Sequence, residues 1–288
     1  MDSLTFTVHP GRVTGFLGPN GAGKSTTMRT ILGLDQPTSG RTRVLDRPYR
    51  ELTQPLQTVG ALLDANALGT WRDARDQLMW LAQSNRIDVK RIDAALDRVG
   101  LSNAARRPVR NFSLGMRQRL GIATALLGDP PVLMFDEPVN GLDTEGIRWL
   151  RALLTELAEE GRTVLLSSHL MSEMELIADH LIVIGQGRLL ADSALEALLD
   201  EHSARRVLVR SSNDARLATA LREKGGRLLT NASGGWVVGG MSPETIGQTA
   251  LVNDVAIVEL TPQSSSLEDV YTKLTEESAE YRSKVVDK

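Results

Sequence analysis

Residues 18–26 read Gly18-Pro19-Asn20-Gly21-Ala22-Gly23-Lys24-Ser25-Thr26. They match a pattern of glycine, four further residues and then Gly-Lys-Ser/Thr, which is typical of loops that bind phosphate groups. In such loops backbone N–H groups turn inward around the phosphates, Lys24 reaches the β and γ phosphates, and Ser25 ligates Mg²⁺. The nine residues therefore predict a nucleotide site.

The segments on either side of this loop fit the same mechanism. Apolar residues alternate at Leu4, Phe6 and Val8, which predicts a strand, and residues 13–17 (VTGFL) predict a second strand that enters the loop. From Ser25 onward the apolar spacing is helical. The order of strand, loop and helix favours phosphate binding over a glycine-rich turn without a ligand.

Short apolar runs alternate with helical patterns through the next part of the chain. Strands are predicted at residues 132–135, 163–166 and 181–184, and a helix around 147–157 separates the first two. Between these strands and the phosphate loop, residues of about 65–128 show only helical spacing. We therefore predict an α/β fold with a P-loop NTPase core, in which a mostly parallel sheet is buried on both faces and a helical subdomain is inserted.

The pattern changes after a short helix predicted at residues 194–199. The tail reads as strand 206–210, helix 214–224, strand 227–230, strand 236–239, helix 243–251, strand 255–260 and helix 267–276. This βαββαβ order predicts a small ferredoxin-like α+β domain. We place the domains at residues 1–202 and 203–288.

Candidate catalytic groups follow two of the predicted strands. Asp136 and Glu137 come directly after residues 132–135, and His169 follows residues 163–168. Ligands of open α/β sheets bind at the carboxyl ends of strands, where Asp136 can hold Mg²⁺ and Glu137 can polarise a water molecule. The alternatives are an ordinary surface acid pair and a structural histidine, and the shared sheet edge favours the catalytic interpretation.

Residues 111–119 contain a helix start with two interpretations. Ser113 fits as the N-cap of an ordinary helix. The same helix end, with Ser113 and Gly115, could instead bind a second phosphate group.

Composition narrows the classes of protein. The chain has 288 residues, a formal net charge of -3 and 4% aromatic residues. A nucleic-acid-binding protein is therefore disfavoured, because such proteins usually carry excess positive charge and aromatic side chains that stack on bases. Cysteine is absent, which excludes thiolate chemistry and cysteine-ligated zinc. The start lacks the features of a signal peptide and no apolar run approaches about 18 residues. We expect an intracellular protein that needs a partner to work at a membrane.

Several motifs together resemble those of the ATP-binding cassette (ABC) family in order and spacing. They are the phosphate loop 18–26, Ser113-Leu114-Gly115, VLMFDEP at 132–138, Asn140-Gly141-Leu142-Asp143 and Ser168-His169. With its tail at residues 262–271, the whole chain looks like the stand-alone ATPase subunits of bacterial drug- and antibiotic-resistance exporters.

The resemblance implies a working assembly. Two ATPase subunits would sandwich two ATP molecules, with Ser113 and Gly115 of one subunit contacting the γ phosphate bound to Lys24 of the other. Asp143 would support the dimer interface, His169 would sense the γ phosphate, and the helical subdomain would dock on an integral membrane permease. The expected location is the cytoplasmic face of the bacterial plasma membrane, as a peripheral subunit.

The chain departs from the family pattern at three places. An aromatic residue that stacks on adenine is expected upstream of the phosphate loop and has no counterpart here, which implies either a shortened start or a weaker hold on adenine. The glutamine that links Mg²⁺ to the membrane subunit falls at Asp64, whose carboxylate can also meet Mg²⁺. In residues 113–116, Leu114 and Met116 stand where glycine and glutamine are commoner in the family. The family's role in contacting the γ phosphate is therefore assigned only to Ser113 and Gly115.

Two other functions remain as alternatives. One is a soluble ABC ATPase that acts on nucleic acid or ribosomes, although the coiled coil, zinc cysteines or second cassette common in such proteins are missing. The other is a regulatory module that binds ATP without useful turnover, against which the retained Glu137 argues.

Overall fold

A computed structural model of the chain describes residues 1–202, 206–230, 235–263 and 266–275. The chain divides into two units, Met1–Leu195 and Glu196–Lys288.

Six strands form the sheet of the first unit, in the order β2-β3-β4-β1-β5-β6. They are β1 (Arg12–Leu17), β2 (Val59–Leu62), β3 (Val132–Phe135), β4 (Thr163–Ser168), β5 (His180–Gly185) and β6 (Arg188–Ala194). Neighbouring strands pair in parallel except β5 and β6, which are antiparallel. The prediction of a mostly parallel sheet is confirmed.

The first unit also contains seven α-helices. They are α1 (Lys24–Ile31), α2 (Pro55–Thr58), α3 (Ala74–Ser84), α4 (Arg91–Arg98), α5 (Leu114–Leu126), α6 (Thr144–Glu159) and α7 (Met171–Ile177). Short 3₁₀ helices cover Tyr49–Glu51, Ala65–Ala67, Ser102–Ala104 and Val109–Asn111. Every residue of β3 is buried, and β1 and β4 are buried after their first residue, as expected for parallel strands covered on both faces. Apart from Thr14 in the middle of β1, the polar residues of these three strands lie at the strand ends.

The strand predicted from Leu4, Phe6 and Val8 is wrong, because these residues belong to no strand of the structure. All three side chains nevertheless pack against the core cluster that contains Phe16. Alternating apolar residues show which side chains face inward. A strand also needs a neighbouring strand whose backbone N–H and C=O groups can hydrogen-bond with its own. The next segment, β1, is already paired on both sides by β4 and β5.

Two strands of the first sheet were not predicted. β2 has the sequence VGAL, in which Gly60 and Ala61 have low strand propensity. β6 carries Asp192 and Ser193 on a half-exposed edge strand, so its pattern lacks an apolar run. In both cases pairing with a neighbouring strand overrides the local preference.

The second unit contains a four-stranded antiparallel sheet in the order β10-β7-β9-β8. Its elements are α8 (Leu195–His202), β7 (Arg206–Ser211), α9 (Asp214–Glu223), β8 (Arg227–Thr230), β9 (Trp236–Gly239), α10 (Pro243–Val252) and β10 (Ile257–Gln263). Residues 267–275 are helical, and residue 276 of the predicted last helix lies outside the described residues. α9 and α10 bury Leu217, Leu221 and Ile246 in a core with Val209 and Val238.

Within the part of the chain that the structure describes, no helix has both the length and the hydropathy required to cross a membrane.

Candidate functional site

The phosphate loop lies between the buried end of β1 and the first turn of α1. Gly23 occupies the N-cap of α1 with φ of 108°, a left-handed conformation that favours glycine, and no side chain caps this helix. The first N–H groups of a helix have no partner within it, so those of α1 can donate to a ligand at this end of the helix. The arrangement suits an anionic group held by backbone N–H groups and the helix dipole.

Lys24 is folded back over the loop that precedes it. Its ammonium donates a hydrogen bond to the carbonyl oxygen of Gly18 at 2.6 Å, and lies 3.4 Å from Oε1 of Glu137. The side chain is only 6% exposed, so these partners take the place of the water that would otherwise solvate its ammonium group. Glu137 therefore supplies the anion that faces Lys24 in this structure.

The polar ends of β3 and β4 meet at one edge of the sheet. Phe135 pairs with Leu166 in register, which brings the residues after each strand side by side. The second oxygen of Glu137, Oε2, lies 2.7 Å from Nδ1 of His169. The structure thus brings Glu137 together with both His169 and Lys24, three residues that lie far apart in the sequence.

Two buried polar side chains hold the backbone of Glu137. The Glu137 N–H donates to Oγ of Ser167 at 2.9 Å, and Nε2 of Gln118 donates to the Glu137 carbonyl oxygen at 3.3 Å. The Ser167 hydroxyl itself donates to Oδ1 of Asp136. Ser167 and Gln118 match no motif that points to this role. For Ser167 the sequence offers one signal, since this polar residue directly follows the apolar run of residues 164–166.

Ser25 and Asp136 have the donor chemistry of a Mg²⁺ site. Among the described residues, no group of three or more His, Cys, Asp and Glu side chains could hold a metal ion. Mg²⁺ is usually bound by one or two carboxylates together with substrate phosphates and water, so one hydroxyl and one carboxylate fit its preference. Asp64 is exposed, and its Oδ1 accepts a hydrogen bond from the Asn66 N–H at 2.8 Å, which caps the 3₁₀ helix Ala65–Ala67.

The start of α5 contacts the loop that leads into α6. Ser113 is exposed and caps α5 by accepting a hydrogen bond from the Met116 N–H at 3.2 Å. A Cβ on Gly115 would lie 2.9 Å from the carbonyl oxygen of Gly141, so these backbones approach closely. Asp143 is also exposed and caps α6. Ser113, Gly115 and Asp143 thus belong to one surface of the unit.

Comparison with known proteins links these features to a family. A family model described as ABC transporter matches residues 1–140, and one described as a domain of unknown function (DUF8746) matches residues 205–268. A solved chain titled as the structure of an ATP binding subunit of an ABC transporter superimposes with a TM-score of 0.63 at 27% identity, covering 69% of this chain and 85% of the other.

Two curated relatives extend the match. The bacitracin transport ATP-binding protein BcrA of Bacillus licheniformis is 39% identical over 227 residues, which cover 78% of this chain and 74% of the relative. The uncharacterized ABC transporter ATP-binding protein YhcH of Bacillus subtilis (strain 168) is 34% identical over 285 residues, covering 97% of this chain and 92% of the relative. Similarity therefore runs through both units, and the chain belongs to the ATP-hydrolysing, ATP-binding subunits of ABC transporters.

Proposed function

We propose that this ATPase powers the export of an antibiotic, drug or other small molecule through a separate integral membrane permease. It acts as a homodimer, peripheral to the cytoplasmic face of a bacterial plasma membrane. The relative named for bacitracin transport supports the substrate class. The observation that carries the ATPase role is the contact of Glu137 with both Lys24 and His169 beside the open start of α1.

Each residue of this cluster has a part in hydrolysis. Residues 18–26 hold the phosphates, and Lys24 neutralises charge on the β and γ phosphates. Glu137 orients a water molecule, whose oxygen forms a bond to the γ phosphorus while the bond to the β–γ bridging oxygen breaks. His169 contacts the Glu137 carboxylate and senses the γ phosphate. The products are ADP and inorganic phosphate.

Ser25 and Asp136 would hold Mg²⁺, and Asp64 would approach it from the loop after β2. When bound, the metal ion offsets negative charge on the β and γ phosphate oxygens. Because Asp64 is a carboxylate, its place near phosphates is favourable chiefly when a cation lies between them.

The dimer completes each nucleotide site from two chains. Ser113 and Gly115, at the exposed start of α5, reach the γ phosphate bound to Lys24 of the other subunit, while Asp143 supports the interface. Their shared surface near Gly141 supports this arrangement, since one partner can then contact all three.

The second unit is an accessory domain. Its strand order and its βαββαβ sequence of elements support a ferredoxin-like fold. We place the start of this accessory domain at residue 203, so that the ATP-binding domain, residues 1–202, also includes α8, the first helix assigned to the second unit.

Affinity purification from detergent-solubilised membranes tests the proposal. The Glu137→Gln protein should retain a polytopic membrane protein in the presence of ATP, and the Lys24→Ala protein, which binds nucleotide weakly, serves as the control. Reconstitution of the recovered membrane protein into vesicles with the original chain, in place of the Glu137→Gln protein, should give ATP-dependent transport of a peptide antibiotic or drug. Recovery of ribosomes or DNA in place of a membrane protein would contradict the proposal.

A further inference from the structure

The backbone of Glu137 adopts a conformation that its side chain does not favour. Its φ is 50°, in the left-handed region where a residue with a Cβ costs about 1–2 kcal/mol. Such a conformation persists only where surrounding contacts determine it. The direction of the Glu137 carboxylate therefore depends on the groups that bind its backbone.

One buried hydroxyl serves both acidic residues at this edge. Ser167 Oγ accepts from the Glu137 N–H at 2.9 Å, and its single proton is donated to Asp136 Oδ1. Ser167 is fully buried, so water does not readily replace it. On the other side, Gln118 is 5% exposed and donates to the Glu137 carbonyl oxygen. The peptide groups that flank the Glu137 Cα are thus both held by side chains.

We infer that Ser167 is a positioning residue for ATP hydrolysis, assisted by Gln118, which orients the metal-binding and water-orienting carboxylates together. The inference depends on the proposed roles of Asp136 and Glu137. It goes beyond them because Ser167 is fully buried and acts through these two acids.

Loss of the Ser167 hydroxyl should affect turnover more than binding. In Ser167→Ala the Glu137 N–H and Asp136 Oδ1 both lose a partner, so the direction of the Glu137 carboxylate toward its water molecule is no longer held by this hydroxyl. The phosphate loop does not contact Ser167 through any of these bonds, so the hold on the phosphates is preserved. The expected change is therefore in kcat, with KM for ATP little altered.

The test compares Ser167→Ala with a matched loss of a buried hydroxyl. Groups that hydrogen-bond a metal-binding or catalytic residue and hold it in place are typically worth 10–100-fold, so we expect kcat to fall by about 10- to 100-fold and KM to change by less than about 3-fold. The control is Thr14→Val in β1, since the Thr14 hydroxyl is fully buried and has no hydrogen-bond partner among the described residues. Its kcat should match that of the original chain. An unchanged kcat in Ser167→Ala would overturn the inference.

A double substitution separates positioning from general damage. Because part of the Ser167 effect acts through Glu137, Ser167→Ala should slow the residual hydrolysis of the Glu137→Gln protein by a smaller factor than it slows hydrolysis by the original chain. An undiminished effect in that background would overturn the inference. Rapid hydrolysis by Glu137→Gln alone would instead overturn the role of Glu137, so the two failures are distinguishable.

A second variant keeps the test decisive if Ser167→Ala does not fold. Gln118→Met keeps the approximate volume of the side chain and removes the donor to the Glu137 carbonyl. The hydrogen bond from Gln118 to the Glu137 carbonyl oxygen is long, at 3.3 Å, so its loss should matter less than the loss of the Ser167 hydroxyl. We expect kcat to fall by about 5-fold, again without a comparable change in KM. Wild-type turnover in a folded Gln118→Met protein would contradict positioning through the Glu137 backbone.

Discussion

Replacing Glu137 by glutamine removes one negative charge from the site and keeps the size of the side chain. The variant cannot accept a proton from the attacking water, nor orient that water as a carboxylate does. General-base groups typically contribute 10²–10⁴-fold, so we expect turnover to fall by about that factor. Nucleotide-bound dimers should then accumulate, because hydrolysis no longer reopens them.

The same substitution should strengthen ATP binding although it slows turnover. Lys24 Nζ and Glu137 Oε1 are 3.4 Å apart. With an effective dielectric constant of about 20, their gross attraction at this distance is about 5 kcal/mol. Desolvation of both charges offsets most of it. We take about 1 kcal/mol as the net attraction between Lys24 and Glu137. ATP must overcome this attraction when its γ phosphate takes the place of Glu137 beside Lys24, so we expect Glu137→Gln to bind ATP about 5-fold more tightly.

Calorimetric titration with ATP measures the affinity, and single-turnover hydrolysis measures the chemical step. Glu145→Gln is the matched control, because Glu145 is an exposed acid in the first turn of α6 outside the cluster. It should change neither quantity. Near-normal turnover of Glu137→Gln, or weaker ATP binding, would refute the reasoning.

Further predictions concern the dimer, the metal and the caps. Homodimers of Ser113→Arg and homodimers of Lys24→Ala should each lack ATPase activity. A mixed dimer has one site with both substitutions and one site with neither, so it should regain part of the activity. If mixed dimers form but show no ATPase activity, the trans arrangement is contradicted. Asp64→Asn should reduce the difference in ATP affinity measured with Mg²⁺ and with excess chelator, and an unchanged difference would leave Asp64 as a cap only. Asp143→Ala removes the acceptor for the Gly146 N–H at 2.8 Å, so urea unfolding should show a loss of about 1 kcal/mol, and an unchanged midpoint would argue against the cap.

The errors in the predicted elements have a common physical origin. The alternation of Leu4, Phe6 and Val8 correctly indicates inward-facing side chains but not a strand. Conversely, β2 forms although its sequence has low strand propensity. In each case the outcome depends on whether a neighbouring strand offers backbone partners, and that neighbour is distant in the sequence.

The phosphate loop, the alternation of strands and helices, and the acids and histidine that follow buried strands can all be predicted from the sequence. These features follow from local rules, since glycine spacing and apolar periodicity act over a few residues. Which of these groups meet depends on the folded sheet. The left-handed Glu137 and its contacts with Lys24, His169 and Ser167 require β1, β3 and β4 to lie side by side. Strand register sets those distances, and register is a property of the assembled sheet.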